Sequence, residues 1–405
     1  MIGRREFLKR GVLAGVGVSL MPLASSASAS IDTTPQVRRY STLGRTGLKV
    51  SDISFGASRL GTGEEDLVRH AFDLGINYFD SAETYTGGES ETVVGNALKG
   101  KRDKVFLTSK TIAQADDKSD AMMRALEGSL RRLQTDHVDV YFNHAVNELE
   151  RLKNPEWYQF AEQARTQGKI RFTGMSGHAG NLAQCLDYAI DSGHFDVILC
   201  AHNFGQDPRF YQRFLRRFDF VAVQPDLPRI MEKAKNHGVG VVVMKTLMGA
   251  RLNDMRPYES GGATFSQAAF RWVLANPNVN ALIVSMTSRE TIDEYLSASG
   301  ARASAAADLQ ILNRYASLNG KSYCRHGCNE CADACPYDVP ISEVMRARMY
   351  AHDYGDLRLA RSEYAMLAGS AAACLSCDAK PCAGSCPHGI ATDVLLGPAH
   401  RLLST

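Results

Sequence analysis

The stretch Tyr78-Phe79-Asp80-Ser81-Ala82-Glu83-Thr84-Tyr85 changes character halfway. Its first half reads as a short buried strand and its second half as a polar loop. If Asp80 closes the strand and Tyr85 caps the loop, both side chains face the same space. Two later runs end in the same way. Val105-Phe106-Leu107-Thr108-Ser109 leads to Lys110, and Val138-Asp139-Val140-Tyr141-Phe142-Asn143 leads to His144. Asp80, Lys110 and His144 are spaced at about thirty residues, with one helical pattern in each gap. That is the rhythm of strand–helix–strand units with parallel strands.

Asp80, Tyr85, Lys110 and His144 make a chemically sensible set. A free tyrosine titrates near ~10 and holds its proton at neutral pH. An ammonium beside it favours the phenolate, so Lys110 is expected to lower the Tyr85 pKa. Asp80 keeps Lys110 charged and in place. His144 orients a carbonyl oxygen or shares its proton. Together they suit delivery of a proton to a carbonyl oxygen while a hydride reaches the carbon, or the reverse. Any one of the four alone is ordinary surface or satisfied core. Four at or just after the ends of consecutive strands is a different pattern.

Further candidate strands recur at the intervals a barrel needs: Ile53–Gly56, Arg171–Ser176, Val197–Asn203, Val239–Lys245 and Ala281–Met286, after a hairpin in Tyr40–Val50. Helical patterns fill the gaps. Ala121–Leu133 carries Met122, Leu126, Leu130 and Leu133 at core spacing. With Gly44-Arg45-Thr46-Gly47-Leu48-Lys49-Val50-Ser51, Phe79-Asp80-Ser81-Ala82-Glu83-Thr84-Tyr85, Thr108-Ser109-Lys110 and Phe142-Asn143-His144 in hand, residues from about 39 to 299 resemble the aldo-keto reductase superfamily. The resemblance implies an α/β fold, a (β/α)8 TIM barrel. It also implies Tyr85 as general acid, tuned by Lys110, with Asp80 supporting Lys110 and His144 orienting substrate.

The family also binds a nicotinamide nucleotide on this face. Ser176 matches the serine that holds the carboxamide, Lys245 stands where it reaches a pyrophosphate, and Ser285 lies in the final strand. Other positions depart from the pattern. Gly177 stands for the usual asparagine, Leu199 for a glutamine and Met244 for the stacking aromatic. Arg289 is the candidate for a 2′-phosphate. The resemblance therefore implies NADP(H), with another two-electron cofactor such as flavin left open.

Composition sets the surroundings. A net charge of +2 over 405 residues argues against nucleic acid as the partner. Arg4-Arg5-Glu6-Phe7-Leu8-Lys9, the apolar run Gly11–Ala24 and Ala27-Ser28-Ala29 read as a twin-arginine signal spanning 1–29, removed on export to the periplasm. A basic start followed by an amphipathic helix or a retained anchor is the alternative. After signal removal no stretch is long and apolar enough for a membrane span. The barrel domain is expected over 36–300. Gly205–Val223, aromatic and basic, is a substrate lid, a docking surface or a plain surface helix.

Residues 301–405 are a different kind of sequence. Ala301–Leu318 reads as a helix leaving the barrel. Eight of the ten cysteines follow in two groups: Cys324, Cys328, Cys331, Cys335-Pro336 and Cys374, Cys377, Cys382, Cys386-Pro387. Each group ends in Cys-Pro, as in bacterial ferredoxins, where the cysteine before proline ligates the other group's cluster. That crossing would place one 4Fe-4S cluster on Cys324, Cys328, Cys331 and Cys386 and another on Cys374, Cys377, Cys382 and Cys335. Four disulfides or two four-cysteine zinc sites are the competing readings. Between the groups, Ile341–Leu367 reads as two helices around Gly355, with Tyr350, Tyr354 and Tyr364 as packing residues. The segment resembles the spacer of ferredoxin-tailed aldo-keto reductases. Cys185 and Cys200 are expected to be buried apolar residues.

The chain is thus expected to be an exported oxidoreductase of a small-molecule alcohol or carbonyl. Its ferredoxin-like domain would pass electrons to a redox partner protein. The alternative is an electron-transfer or accessory protein with a silent barrel.

Overall fold

Ten strands and thirteen helices are labelled along the computed structural model, which describes residues 34–206, 226–248, 255–259, 262–319, 324–325, 328–353 and 355–405. The expected signal and nearly all of the aromatic insertion lie outside the described residues. Strands β1 (Tyr40–Thr42) and β2 (Lys49–Ser51) pair as an antiparallel hairpin. The barrel strands are β3 (Ile53–Gly56), β4 (Tyr78–Asp80), β5 (Phe106–Thr111), β6 (Val138–Asn143), β7 (Ile170–Gly177), β8 (Val197–Ala201), β9 (Gly240–Met244) and β10 (Ala281–Ser285). Consecutive strands pair in parallel and β10 returns to β3, which closes the barrel.

The helices are α1 (Glu65–Asp73), α2 (Glu89–Ala97), α3 (Ser119–Leu133), α4 (Leu149–Lys153), α5 (Pro155–Thr166), α6 (Leu182–Ser192), α7 (Leu227–Asn236), α8 (Phe265–Leu274), α9 (Arg289–Leu296), α10 (Ala306–Asn319), α11 (Ile341–His352), α12 (Leu357–Ala365) and α13 (Thr392–Leu403). The first nine interleave with the barrel strands, so every expected strand is present and the (β/α)8 reading holds.

The strand sequences explain their burial. β6 and β8 are buried at every position, as strands covered on both faces must be. Inside the barrel, Tyr78, Val140, Phe142, Val197, Leu199, Val242 and Ala281 pack on Leu43, Leu48 and Val50 of the hairpin, which plugs the lower end. Gly44 makes that plug possible. It sits at φ 51°, and a Cβ there would lie 2.4 Å from the Gly238 carbonyl oxygen. Within β7, Gly174 leaves space that the Phe142 ring fills, since a Cβ would meet it at 2.3 Å.

α10 does not leave the barrel as its sequence suggests. It packs on α8, buries Ile311 and Leu312, and anchors Asp308 on Arg271 at 2.6 Å. Residues 35–405 form one compact unit, so the cysteine-rich segment belongs to the same body as the barrel. α11 and α12 form a hairpin on either side of Gly355, as expected, and α13 packs against α11. No helix among the described residues is long and apolar enough to cross a membrane.

Candidate active site

β4, β5 and β6 carry three polar side chains to the same end of the barrel. Asp80 is the last residue of β4, Lys110 lies in β5, and His144 follows β6. Lys110 is fully buried. Its Nζ donates to Asp80 Oδ2 at 2.6 Å, to the Ser81 carbonyl at 2.6 Å and to Tyr85 Oη at 3.3 Å. Asp80 also accepts from Thr108 Oγ1 at 2.8 Å. The His144 ring meets the Tyr85 ring edge-on, with centroids 5.6 Å apart. All four expected residues thus converge.

The backbone is bent to achieve this. Thr86, directly after Tyr85, has φ 49°, and Ala145, directly after His144, has φ 50°. Lys245, across the cavity, has φ 58°. Such values are costly for residues with a Cβ and persist where surrounding bonds enforce them. For Thr86 those bonds are visible: its hydroxyl donates to the Leu60 carbonyl at 2.8 Å and accepts from Ser90 N at 2.9 Å. His144 is held by Arg151, which sequence reasoning missed. The buried guanidinium donates to the carbonyls of Ala113, Ala145 and His144 and to Asn143 Oδ1. A lone arginine on an amphipathic helix gives no sign of that inward role.

Burial dominates the protonation states. The Tyr85 phenol is pushed well above its ordinary value, first by burial and then by the negative Asp80 and Glu363. The expected lowering by Lys110 is therefore corrected: desolvation outweighs the ammonium, and Tyr85 keeps its proton. Burial also lowers Lys110, against the pull of Asp80, and raises Asp80 despite Lys110. His144 is held well below the usual histidine range by burial and by Lys110, Arg151 and Lys245. A protonated phenol, a neutral imidazole and a buried ammonium make a proton-donating site.

These residues floor a cavity with about 1020 Å³ of open space. Ser176, Lys245 and Ser285 line it, together with Leu199 and Met244. Ser176 Oγ accepts from Ala145 N at 3.0 Å, and the Ser285 and Ser58 hydroxyls are 2.9 Å apart. Arg289 lies elsewhere: it pairs with Asp66 at 2.6 Å, with both side chains about half exposed.

The other side of the cavity comes from the cysteine-rich segment. Tyr350 of α11, Asp356, and Leu359 and Glu363 of α12 complete its wall. Tyr350, expected to be a packing residue, receives a 2.7 Å hydrogen bond from Lys245 Nζ and lies under the same ammonium as a cation–π partner. Burial pushes Lys245 down to about 8. Asp356 pairs with Arg59 at 3.1 Å, and Glu343 accepts from Gly180 N at 3.4 Å. The α11–α12 hairpin is thus a roof fastened around the barrel mouth.

The eight cysteines of the C-terminal segment line two small cavities. Cys324, Cys328, Cys331 and Cys386 surround one small cavity, and Cys335, Cys374, Cys377 and Cys382 surround another. None of the ten forms a disulfide, and Cys185 and Cys200 are buried in the barrel core. No group of three or more His, Cys, Asp or Glu among the described residues is close enough to hold a metal ion. Arg346 is buried beside the first set and donates to the carbonyls of Arg325 and Cys328, both at 3.0 Å.

Comparison with known proteins agrees with the barrel geometry. The aldo/keto reductase family pattern matches residues 52–312. An L-galactose dehydrogenase of Arabidopsis thaliana is 27% identical over 292 residues, spanning 63% of this chain and 86% of that protein. A methylglyoxal reductase of Escherichia coli is 39% identical over 126 residues, 31% of this chain and 40% of that protein. The crystal structure of an aldo/keto reductase from Klebsiella pneumoniae in complex with NADP and acetate superposes with a TM-score of 0.54 at 27% identity, covering 69% of this chain and 96% of that one. The chain belongs to the aldo/keto reductase family, oxidoreductases of carbonyl and alcohol groups.

Proposed function

We propose that the protein interconverts a carbonyl and an alcohol with Tyr85 as the proton donor and acceptor. The carrying observation is the chain Asp80–Lys110–Tyr85 at the floor of the cavity, with contacts of 2.6 and 3.3 Å. A substrate carbonyl oxygen directed by His144 takes the Tyr85 proton. Lys110 then stabilises the phenolate left behind, and Asp80 keeps Lys110 charged. In the oxidative direction Tyr85 removes the hydroxyl proton. Ser176, Leu199 and Met244 form a half-apolar wall that fits a nicotinamide ring, and the Klebsiella relative is described with NADP. A nicotinamide held there supplies or accepts the hydride.

The eight cysteines of the C-terminal segment extend this reading. Each set rings a cavity rather than closing on a point, which suits a four-iron cubane better than one zinc ion. The composition of the two rings supports the crossed ligation. Buried Arg325 and Arg346 offset the charge of the first set. The two cysteine sets would each hold one 4Fe-4S cluster, and clusters bound there would supply one-electron transfer to a redox partner protein. The twin-arginine sequence at 1–29 supports export to the periplasm, where such a partner would be met.

A second reading, an electron-transfer protein with a silent barrel, draws on one observation. Lys245 is engaged by Tyr350 and Arg289 by Asp66, so neither candidate for the phosphate end is turned to a nucleotide. Tyr85→Phe separates the readings. Carbonyl turnover should fall by ~10²- to 10⁴-fold while iron content is unchanged. Retained turnover would remove Tyr85 from the mechanism. Denaturing the purified protein and identifying any released nucleotide or flavin tests the two-electron cofactor directly.

A further inference from the structure

We propose that Glu363 selects a polyhydroxylated substrate, a sugar or polyol, by accepting hydrogen bonds from neighbouring hydroxyls while the reacting carbon lies at Tyr85. This rests on the role proposed for Tyr85 and adds the substrate class.

Three carboxylates line the cavity among the described residues: Asp80, Asp356 and Glu363. Asp80 is spent on Lys110 and Thr108. Asp356 is spent on Arg59 and on Leu359 N, which it caps at 2.9 Å. Glu363 accepts no hydrogen bond from any described residue. His178 Nε2 stands at 3.9 Å from it, beyond hydrogen-bond reach, and burial holds that ring well below the usual histidine range, so it is no cation. The Lys245 ammonium is directed at Tyr350 instead. Glu363 nevertheless sits inside the cavity and keeps only 22% of its side chain accessible.

An enclosed carboxylate with unused lone pairs is costly unless a donor reaches it. Two oxygens offer about four acceptor sites, which match adjacent hydroxyl groups. A hydroxyl-free aldehyde or ketone has nothing to give them. An anionic substrate would meet like charge. Glu363 and Tyr85 line one cavity, so a single bound molecule can meet both. Burial raises the Glu363 carboxyl and Lys245 opposes that rise. The residue belongs to α12, outside the matched family region, so this selectivity is a property of the roof rather than of the barrel.

The test uses the full-length, cluster-loaded protein and two probes of equal carbon count, erythrose and butanal. Glu363→Gln should lower kcat/KM for erythrose by roughly ten- to a hundredfold, the loss of hydrogen bonds to a carboxylate acceptor, and lower that for butanal several-fold less, through the altered field at Tyr85 alone. Glu363→Asp should recover part of the loss. In the Tyr85→Phe background, erythritol binding followed by calorimetry should weaken by a similar factor on Glu363→Gln. That measurement stands even if Tyr85 proves not to be the acid, so the two failures are distinguishable. An equal fall for erythrose and butanal would overturn the proposal, as would unchanged erythritol binding. A loss confined to a cationic probe such as 4-aminobutanal would also overturn it.

Discussion

The two sides of the cavity are built in opposite ways. On the barrel side, Lys110 uses all three protons on Asp80, Ser81 and Tyr85, and Arg151 spends its donors on four named acceptors. On the roof side, eight thiols ring two cavities with only long contacts, such as Cys324 Sγ to the Ser342 carbonyl at 3.7 Å and Cys328 Sγ to His388 Nε2 at 3.8 Å. The two buried cations of the barrel side find all these partners within the barrel. The cysteine-rich segment gathers polar groups that its own chain does not satisfy. The helices of this segment share the barrel's core, through residues such as Val344, Met349 and Leu396, and at the loops that carry the thiols the proposed clusters would supply further folding free energy.

The largest expected effect follows from that contrast. Removing iron with a chelator from the purified, cluster-loaded protein should release the α11–α13 segment and leave β3–β10 folded. Amide exchange in residues 341–403 should accelerate by on the order of a hundredfold, while the barrel strands stay protected. Uniform protection throughout would mean that apolar packing on the barrel mouth, not metal, holds the roof.

A finer cut divides the segment itself. Cys335→Ser should remove one cluster and about half of the iron, and the lost signal should be that of the Cys374, Cys377 and Cys382 set. Cys386→Ser should strip the other set. Loss of the Cys324 set on Cys335→Ser, read by electron paramagnetic resonance, would refute the crossed arrangement.

The contrast also explains what the sequence made legible. The barrel strands and the four converging residues could be read because each rests on short-range spacing: alternating strand–helix lengths and strand-end polar residues. The Tyr85 pKa could not, because a charge count along the chain carries no information about burial. Tyr350 looked like packing because a tyrosine on an apolar helix face is usually that. Only the folded chain shows that Lys245, more than a hundred residues earlier, ends at its hydroxyl. Glu363 and Arg59 were missed for the same reason. Their roles come from docking two segments, and no local period records docking.

The barrel side makes its own pH prediction. His144 is held well below the usual histidine range by burial and by neighbouring cations. Below about pH 6.5 the unfolded chain takes up a proton that the folded chain refuses, so stability is lost as pH falls, by up to ~1.4 kcal/mol per unit. His144→Gln lacks this term. The stability of the native protein minus that of the variant should therefore decline as pH drops below 6.5 and stay flat above it. Denaturant titrations between pH 5 and 8 measure it. A flat difference throughout would mean that His144 charges inside the folded protein.

The smallest expected effect lies at the seam. Arg59 and Asp356 join barrel to roof at 3.1 Å with 26% and 15% of their side chains accessible. A partly solvated pair of this kind contributes about 1 kcal/mol or less, since two long side chains lose freedom for a screened attraction. The roof has other fastenings: the Lys245–Tyr350 hydrogen bond and the Glu343 contact with Gly180 N. A double-mutant cycle with Arg59→Met and Asp356→Asn should give a coupling of that small size, with iron content unchanged. A coupling of several kcal/mol would make this ion pair, rather than the cysteine-bearing loops, the element that keeps the roof closed. Iron removal would then expose the segment without opening the cavity.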